Sequence, residues 1–346
     1  MLKDIKSLTL DELKDEVRSL GEKEFRAGQL YDWMHKKLAG SYDEMTNLPK
    51  PFRERLRQEY SFTALNTVKE QVSGQDGTRK YLFQLADGNL IETVLMRYHH
   101  GNSVCISSQV GCRMGCRFCA STLDGLERSL AASEMLEQIY EVTRRTGEKI
   151  SNVVVMGMGQ PLDNYDNLLR FLHLISDANG LNISQRNLTV STCGLVPMMQ
   201  KLADEKLQIT LALSLHAVTD EKRREIMPVA NRYSIEELME ACAYYFDRTG
   251  RRITFEYALI SGVNDSEEEA SALAGLAAPL HAHVNLIPVN PVKERKYQAS
   301  KHASVENFKN RLEKKQINVT IRREMGRDID GACGQLRRRQ TESFAT

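Results

Sequence analysis

Ser103-Val104-Cys105-Ile106-Ser107-Ser108-Gln109-Val110-Gly111-Cys112-Arg113-Met114-Gly115-Cys116-Arg117-Phe118-Cys119 is the stretch on which the reading of this chain turns. A β-prone run, 103–107, leads into a glycine-containing loop where three cysteines stand at C-x3-C-x2-C. Thiolates are the usual ligands of iron–sulfur clusters. A four-iron cubane needs one ligand per iron, so three cysteines leave one iron open to a small chelating molecule. Zinc is the alternative occupant, but its structural sites close with four ligands. No fourth Cys or His lies in the loop.

Downstream, β-prone runs at 152–156, 187–191, 208–214, 253–259 and 283–287 alternate with helical patterns. The helices are expected at 132–146, 165–178, 196–204, 234–249, 266–278 and 305–315. With 103–107 these make six β-α units, which implies a parallel sheet. The expected fold is α/β, a partial (β/α)6 barrel with its active site at the C-terminal strand ends. One more strand, 318–322, leads into the tail.

Upstream, residues 1–60 read as a small helical domain. Thr9 caps a helix with apolar residues at Leu10, Leu13, Val17 and Leu20, and Gly21 ends it. Two more helices are expected at 25–38 and 51–60. Between 67 and 98, Gln75-Asp76-Gly77 and Asp87-Gly88-Asn89 separate three strands, since each is a hairpin turn signal. The expected units are therefore 1–60, a β-hairpin extension 61–98, a core 99–336 and a basic tail 337–346.

The 346 residues carry 47 Lys and Arg against 46 Asp and Glu. That balance excludes a globally basic nucleic-acid coat but not a local patch. Residues 293–339 hold fourteen basic against six acidic side chains, and phosphate contacts need only such a cluster. Seven cysteines, an odd and clustered number, favour metal or redox chemistry over a disulfide framework. No apolar run approaches the ~20 residues of a membrane span. The opening MLKDIKSLTLDELKDE lacks an apolar signal region, so a cytoplasmic location is expected.

The cysteine spacing, with the aromatic Phe118 before its last member, resembles the radical S-adenosylmethionine superfamily. Further motifs narrow the resemblance. They are Cys105 to Cys112, Met156-Gly157-Met158-Gly159-Gln160-Pro161-Leu162, Ser191-Thr192-Cys193-Gly194, Ser214-Leu215-His216, Asn285-Leu286-Ile287-Pro288-Val289-Asn290-Pro291 and Gly326-Arg327-Asp328-Ile329-Asp330-Gly331-Ala332-Cys333-Gly334-Gln335-Leu336. Together they resemble the RlmN/Cfr family of radical S-adenosylmethionine RNA methyltransferases, and most of all its C2-methylating members.

The resemblance implies a [4Fe-4S] cluster on Cys112, Cys116 and Cys119, and S-adenosylmethionine held by Gly159, Gln160, Ser191, Ser214, Leu215, His216 and Asn290. The family usually has Glu at 160; Gln160 keeps a hydrogen-bond acceptor but loses the charge. Taken alone, these glycines would read as an ordinary turn and the Ser and His as structural groups. The family pattern implies that Cys333 carries a methyl group in transit, that Cys105 pairs with it through a transient disulfide, and that Glu92 is the proton acceptor. A radical route is needed because the target aromatic carbon is not a nucleophile. Cys193 and Cys242 match no family catalytic position and are read as structural.

The implied substrates are adenosine at position 2503 of 23S ribosomal RNA and position 37 of transfer RNA, with a reductant protein as electron donor. Arg322, Arg323, Arg327 and Arg337-Arg338-Arg339 suit phosphate contacts. The N-terminal helices resemble the family's RNA-recognition domain, and a monomer is expected. The target base must leave its stack to reach a buried centre. Two rivals remain: the resistance-type relative that methylates C8, and a non-catalytic metal-containing RNA-binding protein. Cys119-Ala120-Ser121-Thr122-Leu123 and 286–290 look like the C2 enzymes, since C8 enzymes tend to have Thr-Gly after Cys-Ala. Retention of both Cys105 and Cys333 argues against the binding module.

Overall fold

A computed structural model describes residues 2–289, 296–329 and 336–337. The chain begins with β1 (Lys3–Asp4) and three helices, α1 (Leu10–Ser19), α2 (Phe25–His35) and α3 (Lys50–Glu59). Then β2 (Tyr60–Ser61) returns to pair in parallel with β1, stapling the helical segment shut. Thr9 and Glu12 form a reciprocal capping box on α1, which satisfies donors that the first turn leaves open. The second helix stops at His35, short of the expected 38, because the backbone leaves helical geometry at Lys36 and Leu38 takes a positive φ of 58°.

Four antiparallel strands follow: β3 (Asn66–Val72), β4 (Arg79–Gln84), β5 (Leu90–Tyr98) and β6 (Gly101–Cys105). The two expected turns are present. A third, at His99 and His100, joins β5 to β6. The hairpin strands thereby continue the barrel sheet.

A short hairpin, β7 (Gln109–Gly111) and β8 (Leu126–Ser129), brackets the cysteine loop. The regular alternation then runs α4 (Ala132–Thr146), β9 (Ile150–Val155), α5 (Tyr165–Ser176), β10 (Leu188–Thr192), α6 (Val196–Asp204) and β11 (Thr210–Ser214). It continues through α7 (Asp220–Ile226), α8 (Ile235–Thr249), β12 (Thr254–Leu259), α9 (Glu267–Ala277), β13 (His283–Pro288), α10 (His302–Lys314) and β14 (Asn318–Ile321). The main sheet has ten strands in the order β14-β13-β12-β11-β10-β9-β6-β5-β4-β3. From β6 to β14 all neighbours are parallel. The six expected units are thus closed by a seventh parallel strand.

Side-chain alternation splits this sheet into two faces. Val153, Val155, Val190, Leu211, Leu213, Phe255, Tyr257, Val284 and Leu286 are buried in the main core. Tyr257 shows which way they point: it stacks on Phe308 of α10, and its hydroxyl donates to Glu269 of α9. The other face is concave and polar. Register places Ser214, Glu256, Asn285 and Thr320 on one rung of it. Thr320 Oγ1 donates to Asn285 Oδ1 at 3.0 Å, and Asn285 Nδ2 to Glu256 Oε2 at 2.9 Å.

The N-terminal helices share one hydrophobic cluster with the barrel. Lys6 Nζ meets Glu137 of α4 at 2.6 Å, both fully buried, and also donates to Thr63 O at 2.7 Å. Tyr31 donates to Asp177, and His35 Nδ1 lies 2.8 Å from Tyr140 Oη. Among the described residues no helix is long and apolar enough to cross a membrane.

Candidate active site

The cysteine loop is held by its backbone. Cys112 N–H donates to Gly125 O at 2.7 Å, and Cys119 N–H to Cys116 O at 3.1 Å. Thr122 Oγ1 donates to the carbonyls of Cys116 and Cys119, each at 3.0 Å. Gly111 has φ +75°, and a Cβ there would overlap the Gly125 carbonyl oxygen, so only glycine permits this closure. Arg117 N–H reaches across to Ile226 O at 2.8 Å, which seats the loop on α7.

Burial pushes the Cys112 thiol up to about 11, with Cys119 and Asp163 adding to the effect. Burial and the neighbouring Cys193, Cys119 and Cys112 hold Cys116 well above the ordinary thiol value. Such thiols keep their protons until a metal displaces them. No three His, Cys, Asp or Glu side chains among the described residues converge as a metal-binding group. The donor set is all sulfur and comes from a single loop. Beneath that loop a guanidinium nitrogen, Nη1 of the buried Arg223, lacks a hydrogen-bond partner among the described residues. An anionic thiolate cluster fits both features.

The 157–162 segment follows β9 and touches the cysteine loop. Gln109 Oε1 accepts from Gln160 N–H at 2.8 Å, and its Nε2 donates to Asp163 at 3.1 Å. Arg113 pairs with the same Asp163. Gly159 has φ +103°, and a Cβ there would lie 2.5 Å from Gln109 Cβ. Gln160 is buried; its Nε2 donates to Thr192 Oγ1 at 2.9 Å and its Oε1 accepts from Cys193 N–H at 3.1 Å. Its amide therefore ties two strand ends together, a task that requires both a donor and an acceptor.

Ser191 and Ser214 lie at the C-terminal ends of β10 and β11, on the concave face. Ser191 Oγ donates to Val155 O at 2.9 Å. Leu215 is fully buried. His216 has φ +58° and is also buried. Burial, with Arg223 adding, drives its pKa down to about 3. The ring is neutral, and its Nδ1 accepts from Ala258 N–H at 2.9 Å, which assigns the proton to Nε2. Phe118 of the cysteine loop packs edge-on against this ring, with centroids 4.9 Å apart.

Cys105 ends β6 and pairs with Val94 of β5. Glu92 lies two residues before Val94, so alternation puts it on the same concave face. Glu92 is buried. It ion-pairs with buried Lys80 at 2.9 Å, and its Oε1 accepts from Arg337 N–H at 2.7 Å. Burial raises the Cys105 thiol, while Arg322 and Lys80 pull the other way. Cys105 is a free thiol.

A cavity of about 590 Å³ opens beside the ends of β13 and β14, lined by Asp76, Ser300, His302, Arg322, Arg323 and Arg327 among others. Asp76 and Asp328 anchor the chain entering the tail: Asp76 accepts from Gly326 N–H at 2.9 Å, and Asp328 from Ser73 Oγ at 2.6 Å and Gly74 N–H at 2.8 Å. Asn290, Cys333 and the 338–339 arginines lie outside the described residues. Two groups escaped the sequence reading. Arg223 sits in Asp220-Glu221-Lys222-Arg223-Arg224, which reads as a solvated run, yet it is fully buried. Glu256 stands between Phe255 and Tyr257; strict alternation in that strand was its one available signal. Cys193, read as structural, packs in a buried cluster with Met114, Cys116 and Phe118 of the cysteine loop. Cys242 lies in α8, buried in the main core.

A parallel half-barrel with three loop cysteines over its open end and a polar concave face defines a radical S-adenosylmethionine enzyme. The radical SAM superfamily model matches residues 106–274. The model of the ribosomal RNA large subunit methyltransferase N-terminal domain matches residues 3–61. A probable dual-specificity RNA methyltransferase RlmN from Lachnospira eligens is 62% identical over 99% of this chain and 97% of its own. The corresponding protein of Lachnoclostridium phytofermentans is 59% identical over 98% and 95%. The crystal structure of a radical SAM methyltransferase from Sphaerobacter thermophilus superimposes with a TM-score of 0.92, at 43% identity over 96% of this chain and 98% of that one. The chain belongs to the RlmN family.

Proposed function

We propose that this chain methylates C2 of adenosine in 23S ribosomal RNA and in transfer RNA, acting in the cytoplasm as a monomer supplied with electrons by a reductant protein. Cys112, Cys116 and Cys119 hold a [4Fe-4S] cluster. Gly159, Gln160, Ser191, Ser214, Leu215, His216 and Asn290 hold S-adenosylmethionine. When bound, that pair supplies the electron and the carbon radical that an unreactive aromatic C–H requires.

The chain's own residues do the rest. Cys333 carries the methyl group. Cys105, whose thiol burial raises, attacks the Cys333 sulfur of the adduct; the new S–S bond replaces the bond from that sulfur to the methyl carbon, whose electron pair stays with the released product and takes up a proton, and a reductant thiol then restores both cysteines by exchange. Glu92 takes the proton. One observation carries this assignment. Glu92 shares the concave face with Cys105 and receives the backbone N–H of Arg337, four residues beyond Cys333. Arg322, Arg323 and Arg327 border the cavity beside this face, where RNA phosphates would find them. The helical residues 1–60 serve as the RNA-recognition domain.

The test is anaerobic incubation with methyl-labelled S-adenosylmethionine, a reductant and either 23S or transfer RNA fragments, followed by mass spectrometry of nucleosides. 2-Methyladenosine from both RNAs is expected. 8-Methyladenosine would replace the C2 assignment, and no methylated adenosine from a cluster-loaded protein would overturn it.

A further inference from the structure

We propose that Arg223 is the built-in counter-cation of the cysteine-bound iron–sulfur cluster and raises its reduction potential. The inference rests on the cluster reading above. Arg223 lies on α7 and is fully buried. Its Nε donates to Leu215 O at 3.1 Å, and its Nη2 to Cys193 O at 2.6 Å and Ser214 O at 3.4 Å. These carbonyls end β10 and β11, so the guanidinium is pinned under the strand ends and cannot swing to water. Its Nη1 has no partner among the described residues. None of the ion pairs among them includes Arg223. Nearby Asp220 instead accepts the Ile235 N–H at the start of α8.

A buried cation without a counter-charge is costly, and proteins keep one where a partner arrives. The surroundings identify that partner. The cysteine loop rests directly on this segment, through Arg117 N–H to Ile226 O and through Met114, Cys116 and Phe118 packed with Ile226 and Met227. The groups that favour its charge are the sulfurs of Cys193 and Cys116 and, after them, the Asp220 carboxylate, which makes no ion pair with it among the described residues. A four-iron cluster on three thiolates carries one net negative charge when oxidised and two when reduced. A fixed cation in a low-dielectric pocket favours the second charge more than the first, so it makes the cluster easier to reduce.

The experiment compares wild type, Arg223→Met and Arg223→Lys after anaerobic reconstitution. It reads iron and sulfide content and then the cluster midpoint potential by redox titration, with no RNA or turnover involved. Arg223→Met is expected to load iron and sulfide as wild type does. At a fixed solution potential its ratio of reduced to oxidised cluster should fall about tenfold, a shift of about 59 mV for a one-electron couple. Arg223→Lys, which keeps the charge, should stay within about threefold of wild type. Equal potentials in all three proteins overturn the proposal, as do equal shifts in the Lys and Met variants, which would mark a packing effect. If the Met variant does not fold, Arg223→Gln takes its place, since it retains a donor for the carbonyls. If neither neutral variant folds, a tenfold shift in Arg223→Lys overturns the proposal. Wild-type protein that takes up no iron or sulfide overturns the cluster reading itself, an outcome distinct from a normal cluster indifferent to Arg223.

Discussion

Glu92 has both carboxylate oxygens engaged inside the protein, one by Lys80 and one by the Arg337 backbone. Replacing it with Gln removes the charge that faces buried Lys80, and breaking a buried ion pair typically costs about 3–5 kcal/mol. The expected outcome for Glu92→Gln is that loss in chemical denaturation, together with a drop in methylation of at least about 10²-fold, the usual contribution of a proton-transfer group. Cysteine variants should sort into two classes. Cys112→Ser, Cys116→Ser and Cys119→Ser lose iron on reconstitution. Cys105→Ser and Cys333→Ala keep iron and sulfide at wild-type levels but release no methylated RNA. Iron and sulfide assays beside nucleoside mass spectrometry check both halves. The residue types and spacings of these five cysteines were readable directly from the chain. The burial of Glu92 was not, because one carboxylate in a strand pattern looks the same whichever face it occupies.

At the scale of elements, the loop bearing the cysteines works because β7 and β8 clamp its two ends. Neither strand was expected from the sequence: three or four residues show no measurable alternation, and the pairing joins segments separated by the whole loop. Gly111 is the narrow point of that clamp. Gly111→Ala places a Cβ on the Gly125 carbonyl at a backbone angle that disfavours any side chain. The expected result is a folded barrel by circular dichroism with iron uptake reduced several-fold. Normal iron uptake would show that the clamp is dispensable. The long helices behaved differently: α4 and α6 have the expected bounds, since apolar periodicity over many residues is a local property. Helix α7 was missed for the opposite reason, being seven residues of mostly charged side chains.

For the whole molecule, the decisive feature is that the N-terminal helices and the half-barrel share one core, stitched by buried polar pairs. Such pairs make stability sensitive to acid. His35 is fully buried between α2 and α4, and burial, with Lys6 adding, drives its pKa down to about 3. The unfolded chain binds a proton there near the ordinary value of about 6.5 while the folded chain does not. The stabilising contribution is therefore complete above about pH 6.5 and is lost as pH falls towards 3, at up to about 1.4 kcal/mol per pH unit. Denaturant titrations of wild type and His35→Phe at pH 7, 6 and 5 check this. The variant should lose less stability on acidification, and parallel pH curves would remove His35 from the account.

By itself the sequence determined the order of the longer strands and helices, the parallel half-barrel, the thiol set and the family to which they belong. All of these are carried by contiguous motifs or by periodicity within one element. Only the tertiary structure decided that the hairpin strands continue the barrel sheet and that Glu92 shares a face with Cys105. It alone placed Arg223, without an ion pair among the described residues, beneath the cysteine loop and turned the Gln160 amide onto the end of β10. The physical reason is the same each time. Whether a lone polar side chain meets water, a carbonyl or a cofactor depends on how the sheet curls and which distant segment lies across it. Neither is encoded within reach of the residue's own neighbours.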